Sequence, residues 1–168
     1  ILYNRNIQTR VNKIMPYLYY DNDPYLVIAN NRLYWIIEAY TLTDRYPYAE
    51  PVNNRFNYIR NSVKVIIDAY NGTVDYYIVD PEDPLINTIA GIFSGLFKPL
   101  DTMPLEIKQR LRYPPELLAI QANVLGNYHM ENTALFYNKE DAWNIAEEIV
   151  GDKRQTMEPY FTVMRLPE

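Results

Sequence analysis

Two aspartates are the residues of this sequence whose spacing most directly suggests chemistry. Asp68 and Asp75 flank an Asn71-Gly72 pair in the stretch VKVIIDAYNGTVDYYIVDPEDP, residues 63–84. Asn-Gly favours a two-residue hairpin turn, because both central positions of such a turn take a positive φ. That turn would place Asp68 directly opposite Asp75, with Cβ atoms roughly 4.5–5.5 Å apart.

Opposed carboxylates destabilise a sheet unless something offsets their repulsion, and three offsets are open. Water and the nearby Lys64 could suffice, which would make the two aspartates the solvated side of a hairpin. A cation could lie between them, since calcium takes clustered oxygen ligands, so Asp68 and Asp75 are candidate metal ligands. A raised pKa on one carboxyl would instead indicate an acid/base pair, as in an envelope hydrolase acting on glycosidic bonds. Apart from calcium, we expect no cofactor.

A second candidate site is the loop DRYPY, residues 44–48. Loops carry binding residues more often than the elements they connect. Arg45, together with Tyr46 and Tyr48, could bind a carboxylate or a sugar, and Asp44 completes this candidate ligand-binding set. An internal ion pair between Asp44 and Arg45 is the alternative interpretation.

Further polar and apolar motifs have simple structural interpretations beside functional ones. The stretch DPEDP, residues 80–84, could hold a cation, but it also suits a strand end, a turn and a helix cap at Asp83. His129 follows a predicted helix, where an imidazole favours the C-terminal end. The stretch GIFSGLFKPL, residues 91–100, is either a docking loop for a partner or part of the core.

Composition excludes several classes of function. The chain has 168 residues with a net charge of -5 and a pI of about 5.0, which disfavours nucleic-acid binding. It has no Cys and one His, so disulfides, thiolate chemistry and multi-His metal sites are excluded. The 17 Tyr residues suit half-buried sheet faces and interfaces, or a groove for sugars or peptides.

Periodicity in the first half predicts one helix and four strands. Ile7, Val11 and Ile14 recur at helical spacing and predict a helix over residues 4–15. Residues 23–43 predict a hairpin about Asn30-Asn31, with Leu26, Ile28, Leu33 and Trp35 on one face. Strand character returns at residues 58–70 and 73–80, after a loop over residues 44–56. In this second hairpin the face opposite the aspartates is predicted to be the core face, and it holds Val65, Ile67, Val74, Tyr76 and Ile78. The aspartates share the other face with Lys64, Tyr70 and Tyr77.

The second half changes to helical character. Helices are predicted after Asp83, in MPLEIKQRL, in PPELLAIQANVLGNYHM and in NKEDAWNIAEEIV, and EPYFTVMRLP predicts a final strand. The sequence therefore predicts an α+β fold, with a helix and an antiparallel four-stranded meander of cystatin-like or PepSY-like type, then a helical lobe and a last strand. We expect a single domain over residues 1–168, with lobes at 1–80 and 81–168.

Five long blocks of the chain have a distinctive sequence: DPYLVIANNRLYWIIEAYTLTDRYPYAEP, NYIRNSVKVIIDAYNGTVDYYIVDPEDPLI, IFSGLFKPLDTMP, LRYPPELLAIQANVLGNYHM and FYNKEDAWNIAEE. In this order they resemble a large bacterial family of membrane proteins, the uncharacterised protein family UPF0182. The resemblance covers nearly the whole chain. It implies multi-pass membrane proteins with a large C-terminal part outside the cytoplasm, of which this chain would be a fragment.

The resemblance implies where this part of the protein lies in the cell, and it implies no catalytic residues. No apolar run here reaches the roughly 18 residues that a membrane span needs, so membrane attachment would come from sequence outside this chain. We therefore expect a non-catalytic extracytoplasmic interaction domain at a bacterial cell membrane. Its expected partners are the parent membrane protein and an envelope protein or glycan, with no nucleic acid.

Overall fold

The computed structural model describes residues 3–52 and 54–162. The chain divides into two compact units, Ile1–Arg112 and Tyr113–Glu168. The division lies after residue 112, whereas the predicted lobes meet at residues 80 and 81. The difference arises because residues between 84 and 111 pack against the sheet of the first unit. The single-domain organisation stays a prediction.

The first unit is built on a mixed sheet that contains the predicted meander. Its strands are β1 (Tyr19–Tyr20), β2 (Tyr25–Ala29), β3 (Arg32–Thr43), β4 (Tyr58–Asp68), β5 (Val74–Ile78) and β6 (Phe97–Pro99). Strands β2 to β5 pair antiparallel in sequence order. Strand β1 pairs antiparallel with the C-terminal half of β3, and β6 pairs parallel to β5. This arrangement confirms the α+β class and the four-stranded meander. The cystatin-like or PepSY-like detail stays a prediction.

The first hairpin forms at the predicted turn. Asn30 and Asn31 have φ values of 49° and 58°, the positive values that a tight hairpin turn requires. Strand pairing then opposes Leu26 to Trp35 and Ile28 to Leu33, which confirms that these four side chains share one face. Leu26 and Ile28 nevertheless lie exposed near the sheet edge.

One face of the sheet is covered by two helices, α1 (Ile7–Ile14) and α2 (Pro84–Ile92). The Asn6 side chain caps α1 by accepting a hydrogen bond from the Thr9 backbone N–H, and α2 begins with Pro84 at its first position. Both helices bury residues in one apolar cluster with the strands: Val11, Met15, Ile37, Ala39, Val63, Val65, Ile67, Tyr76 and Ile86. The predicted core face of the second hairpin is thus confirmed.

The opposite face of the sheet is buried as well. A 3-10 turn (Leu100–Thr102) and the short helix α3 (Leu105–Lys108) place Met103 and Ile107 against Ile36 and Ile66. The face that carries Lys64 and Tyr77 was expected to meet solvent, and that expectation is wrong. The reason is that the segment after β6 returns across it.

An arginine in α1 fixes the turn between β4 and β5. The Arg10 guanidinium donates hydrogen bonds to the Asn4 carbonyl at 3.0 Å and to the Gly72 carbonyl at 2.7 Å. Gly72 has a φ of 72°, and a Cβ built on it would lie 1.8 Å from Arg10 Nη1. Glycine at position 72 therefore allows the positive φ of the turn and leaves room for the Arg10 guanidinium.

The second unit contains α4 (Pro115–Tyr128), α5 (Thr133–Asn138) and the hairpin of β7 (Glu147–Val150) and β8 (Lys153–Thr156). The helix predicted for PPELLAIQANVLGNYHM is confirmed as α4. Four of its large apolar side chains, Leu118, Val124, Leu125 and Tyr128, are exposed. Across the described ranges 3–52 and 54–162, no helix has the length and apolar character needed to cross a membrane.

The helix predicted over residues 138–150 is wrong. Asn138 ends α5 instead of starting a helix, because Lys139 adopts a left-handed conformation with a φ of 55°. Gly151, with a φ of 64°, then turns the chain between β7 and β8. The strand predicted over residues 158–167 is absent at 158–162, and its remainder lies outside the described residues.

We expect Gly72→Ala to lower the free energy of unfolding by about 1–2 kcal/mol, since a left-handed alanine is strained and the Arg10 contact must shift. Urea denaturation followed by circular dichroism measures the change. Gly91→Ala is the matched control, because Gly91 lies in α2 with no atom within 4 Å of its added Cβ. That control should be neutral or stabilising by up to about 1 kcal/mol. Equal destabilisation of the two variants would contradict the role of Gly72.

Candidate functional site

The loop between β3 and β4 is held in one conformation by an asparagine. The Asn57 side-chain amide donates to the Tyr46 carbonyl at 2.7 Å and to the Ala49 carbonyl at 3.2 Å. Its Oδ1 accepts a hydrogen bond from the Tyr46 backbone N–H at 3.0 Å. The Tyr46 ring stacks on that of Tyr58 with centroids 5.3 Å apart. Backbone and aromatic contacts together therefore define the path of the loop.

This loop projects a tyrosine and an arginine into solvent. Tyr48 is fully exposed and has a φ of 60°, an uncommon value for a bulky residue. The Arg45 side chain is 92% exposed, and its Nε lies 3.8 Å from an Asp44 carboxylate oxygen. The structure thus places all four predicted ligand-binding residues, Asp44, Arg45, Tyr46 and Tyr48, in one surface loop. It also contains the alternative ion pair, and ligand binding there stays a prediction.

The predicted opposition of Asp68 and Asp75 is wrong. Strand pairing opposes Asp75 to Ile66 and Val74 to Ile67, so the register differs by two residues from that of a two-residue turn. The turn is longer because Asp68 itself closes it. Its backbone N–H donates to the Thr73 carbonyl at 3.0 Å, and its carbonyl accepts from the Gly72 N–H at 2.8 Å.

Each aspartate has a basic partner of its own. Asp68 Oδ2 lies 2.7 Å from Arg32, and its Oδ1 accepts hydrogen bonds from the backbone N–H groups of Tyr70 and Asn71. Burial acts to raise the pKa of Asp68, but these hydrogen bonds and Arg32 outweigh it and lower that pKa. Asp75 lies 2.7 Å from Lys98.

These pairings remove the geometry that suggested a metal ion or an acid/base pair. No group of three or more acidic or histidine side chains that could hold a metal was found within residues 3–52 and 54–162. Metal binding by Asp68 and Asp75 stays a prediction without that support. The turn and the two ion pairs account for both carboxylates.

Asp83 is a fully buried carboxylate that joins α2 to the sheet. Its oxygens accept hydrogen bonds from Ser62 at 2.5 Å, Thr41 at 2.6 Å and Tyr58 at 2.8 Å. It also accepts from the Leu85 N–H at 3.0 Å, which confirms the predicted cap. Burial acts to raise the pKa of Asp83, and the hydrogen bonds more than offset it, so the pKa is lowered. The carboxylate is a structural anion.

A second buried charge pair lies on the other face of the sheet. Glu38 and Lys64 oppose each other on β3 and β4 and form a buried salt bridge. The Tyr25 hydroxyl donates to Glu38 at 3.3 Å, and Lys64 donates to the Arg112 carbonyl at 3.1 Å. Burial raises the pKa of Glu38, while the Lys64 ammonium acts to lower it. Sequence reasoning missed this pair, although Glu38 and Lys64 each stand between apolar residues in the middle of a predicted strand.

His129 has the capping position predicted for it. It follows α4, and its Nδ1 lies 3.0 Å from the Leu125 carbonyl oxygen. Its ring stacks on Trp143 with centroids 3.8 Å apart. Trp143 can approach because position 126 is glycine, where a Cβ would meet the Trp143 oxygen at 2.5 Å. The imidazole therefore serves contacts inside the second unit.

A groove of about 470 Å³ lies beside β5, α2 and β6. Its polar side chains already have partners within the protein. Asn87 donates to the Pro81 carbonyl, Lys98 pairs with Asp75, and Asp101 lies 3.2 Å from Lys108. Binding sites usually present convergent polar groups toward a ligand, so this groove does not match an active site.

We expect Lys64→Met to lower the free energy of unfolding by about 3–5 kcal/mol, because it leaves the buried Glu38 carboxylate unpaired. The double variant Glu38→Leu with Lys64→Met should lose less than Lys64→Met alone. Urea denaturation of both variants measures the difference. Arg60→Met is the control, since Arg60 pairs with Asp80 at 2.8 Å with half of its side chain exposed, and it should cost about 1 kcal/mol or less. A double variant less stable than Lys64→Met would contradict this interpretation.

Comparison with known proteins identifies the family. Residues 1–168 match the model of the uncharacterised protein family UPF0182. A UPF0182 protein of Moorella thermoacetica is 71% identical over 99% of this chain, and one of Pelotomaculum thermopropionicum is 53% identical over 99%. A UPF0182 protein of Methanospirillum hungatei is 53% identical over 97% of the chain.

The chain spans 18% of the length of the first two of these relatives and 19% of the third. No solved structure matches it. The match covers every residue of the chain, and the identities are high along nearly its whole length. The chain therefore belongs to the uncharacterised protein family UPF0182.

Proposed function

We propose that this segment is a non-catalytic interaction domain that acts outside the cytoplasm, in a protein held in the membrane by sequence beyond this chain. The observation that carries the interaction role is the segment of residues 44–49, which exposes Arg45 and Tyr48 while Asn57 bonds its backbone at Tyr46 and Ala49. The family resemblance supports the membrane setting.

The loop has the features of a pre-organised binding surface. Asn57 bonds it on both sides of Tyr46, and a bridge between Val52 and Phe56 closes its second half. A surface that is already ordered loses little conformational entropy when it binds. Backbone strain such as the positive φ of Tyr48 concentrates at binding and catalytic sites.

The exposed side chains suit a partner that offers carboxylates or hydroxyls. Tyr and Arg are enriched among the residues that contribute most to binding energy. Arg45 can form paired hydrogen bonds with a carboxylate, and the Tyr48 ring can stack on a sugar or an apolar side chain. An envelope protein, a glycan, or another part of the same protein fits this chemistry.

The state of the carboxylates supports a non-catalytic role. Asp83 and Asp68 have lowered pKa values and are bonded to groups of their own fold. Glu38, whose pKa is raised by burial, faces Lys64 beneath α3. A general acid or base must reach a substrate, and these three carboxylates are instead committed to structure.

A photo-crosslinking amino acid that replaces Tyr48, introduced into the full-length protein, tests the proposal in cells. We expect a covalent adduct with one partner at position 48. Arg45→Ala should reduce the adduct by about 5- to 30-fold, the range typical for an interface hot spot. Position 137 is the matched control, because Tyr137 is 87% exposed in the second unit. An adduct at 48 no stronger than that at 137 would overturn the assignment of the loop.

A further inference from the structure

The charges of this acidic chain are unevenly distributed. All 21 acidic residues lie outside residues 1–20 and 84–97, the segments that contain α1 and α2. The first segment carries Arg5, Arg10 and Lys13, and the second carries no charged residue. A chain with a net charge of -5 therefore has a helical layer whose formal charge is positive.

The two helices form one continuous layer. Val11 and Met15 from α1 and Ile86 from α2 are buried in the same apolar cluster against the sheet. The C-terminal ends of the two helices meet, since the rings of Tyr17 and Phe93 lie 5.6 Å apart. Side chains that follow each helix thus contribute to one surface.

That surface exposes large apolar side chains. Tyr17, whose ring makes this contact, is 67% exposed, and Ile92, which directly precedes Phe93, is 69% exposed. Ile14 and Tyr3 add to them at 42% and 74%. We call these four residues, with Arg5 and Lys13, the α1–α2 face.

Two exposed cations lie among these apolar residues. Lys13 directly precedes Ile14, and its ammonium lies 5.1 Å from the centre of the Tyr3 ring. Arg5 is exposed just before α1. Arg10 is not counted, because it is half-buried and its guanidinium is bonded to the Asn4 and Gly72 carbonyls. Lys13 also donates a hydrogen bond, to Asn4 Oδ1 at 3.1 Å, but it remains exposed.

We propose that the α1–α2 face docks on an anionic lipid surface. Tyrosine, aliphatic and basic side chains in one surface are the composition of segments that lie at the boundary of headgroups and acyl chains. The absence of acidic residues from both helical segments makes the face complementary to anionic headgroups.

The contact would be weak and reversible. Each basic residue near an anionic surface contributes roughly fivefold in affinity, so Arg5 and Lys13 orient the domain without anchoring it. The inference does not use the loop of residues 44–57. If the loop binds no partner, the proposed lipid docking is unaffected. If the lipid docking fails, the proposed loop interaction is unaffected.

Vesicle binding by the 168-residue chain tests this inference, and the absence of cysteine allows a single fluorescent label. The probe label is attached at Ile92→Cys. Leu105→Cys is the matched control, because Leu105 is 67% exposed on α3, which packs on the opposite face of the sheet. The vesicles contain either phosphatidylcholine alone or equal parts of phosphatidylcholine and phosphatidylglycerol, with a quencher on the acyl chains.

We expect the label at 92 to shift to shorter wavelength and to be quenched on anionic vesicles, and the label at 105 to remain unchanged. Arg5→Gln with Lys13→Gln should weaken binding by about 25-fold. The control Lys108→Gln with Arg110→Gln, which changes net charge equally on the α3 side, should change affinity by about twofold or less. No response at 92, an equal response at 105, or a shift at 92 that grows with protein concentration without lipid would overturn the inference.

Discussion

The two central strands carry apolar side chains on both faces of the sheet. Each face must therefore be packed against another layer of the protein, and this requirement organises the first unit. Strands β3 and β4 place Ile37 and Val65 in one core and Ile36 and Ile66 in the other. Each fully buried aliphatic side chain contributes about 1.5–3 kcal/mol, so neither face can be left open to water. The chain meets the requirement with helices α1 and α2 on one side and with the segment that contains α3 on the other.

Buried charged residues fix the positions of the segments that pack on the two faces of the sheet. Asp83 caps α2 while it accepts hydrogen bonds from β3 and β4, so the helix can begin at one place only. Lys64 binds the Arg112 carbonyl across the other face and so closes the end of the first unit. Buried polar groups require satisfied partners, which makes such contacts specific as well as stabilising. The start of α2 therefore follows from the network around Asp83.

Local signals were sufficient for most elements of the first unit. These signals act within a few residues. Asn30-Asn31 correctly predicted the first hairpin turn, and Asp83 with Pro84 correctly predicted the start of α2. The Asn71-Gly72 pair led to a wrong register, because the side chain of Asp68, three residues before Asn71, bonds the turn backbone and lengthens the turn. The register of the two aspartates, and with it the candidate site, depended on that contact.

Other failures have a long-range origin. The burial of Lys64 depends on a segment about forty residues later in the chain, which no window of local sequence describes. The end of α5 at Lys139 depends on a left-handed residue that is not glycine, so the usual signal was missing. In the loop of residues 44–48 ligand binding stays a prediction, and the hydrogen bonds between Asn57 and Tyr46 join residues eleven apart, which local sequence does not indicate.

The parallel strand β6 has a consequence for how this protein can associate. It is three residues long, it carries Lys98, and it ends at Pro99, which has no backbone N–H to donate. Short strands with lysine and proline at a sheet edge discourage the addition of a further strand. At this edge the protein is protected against edge-to-edge aggregation and amyloid-like growth, so contacts made there must use side chains and not the backbone.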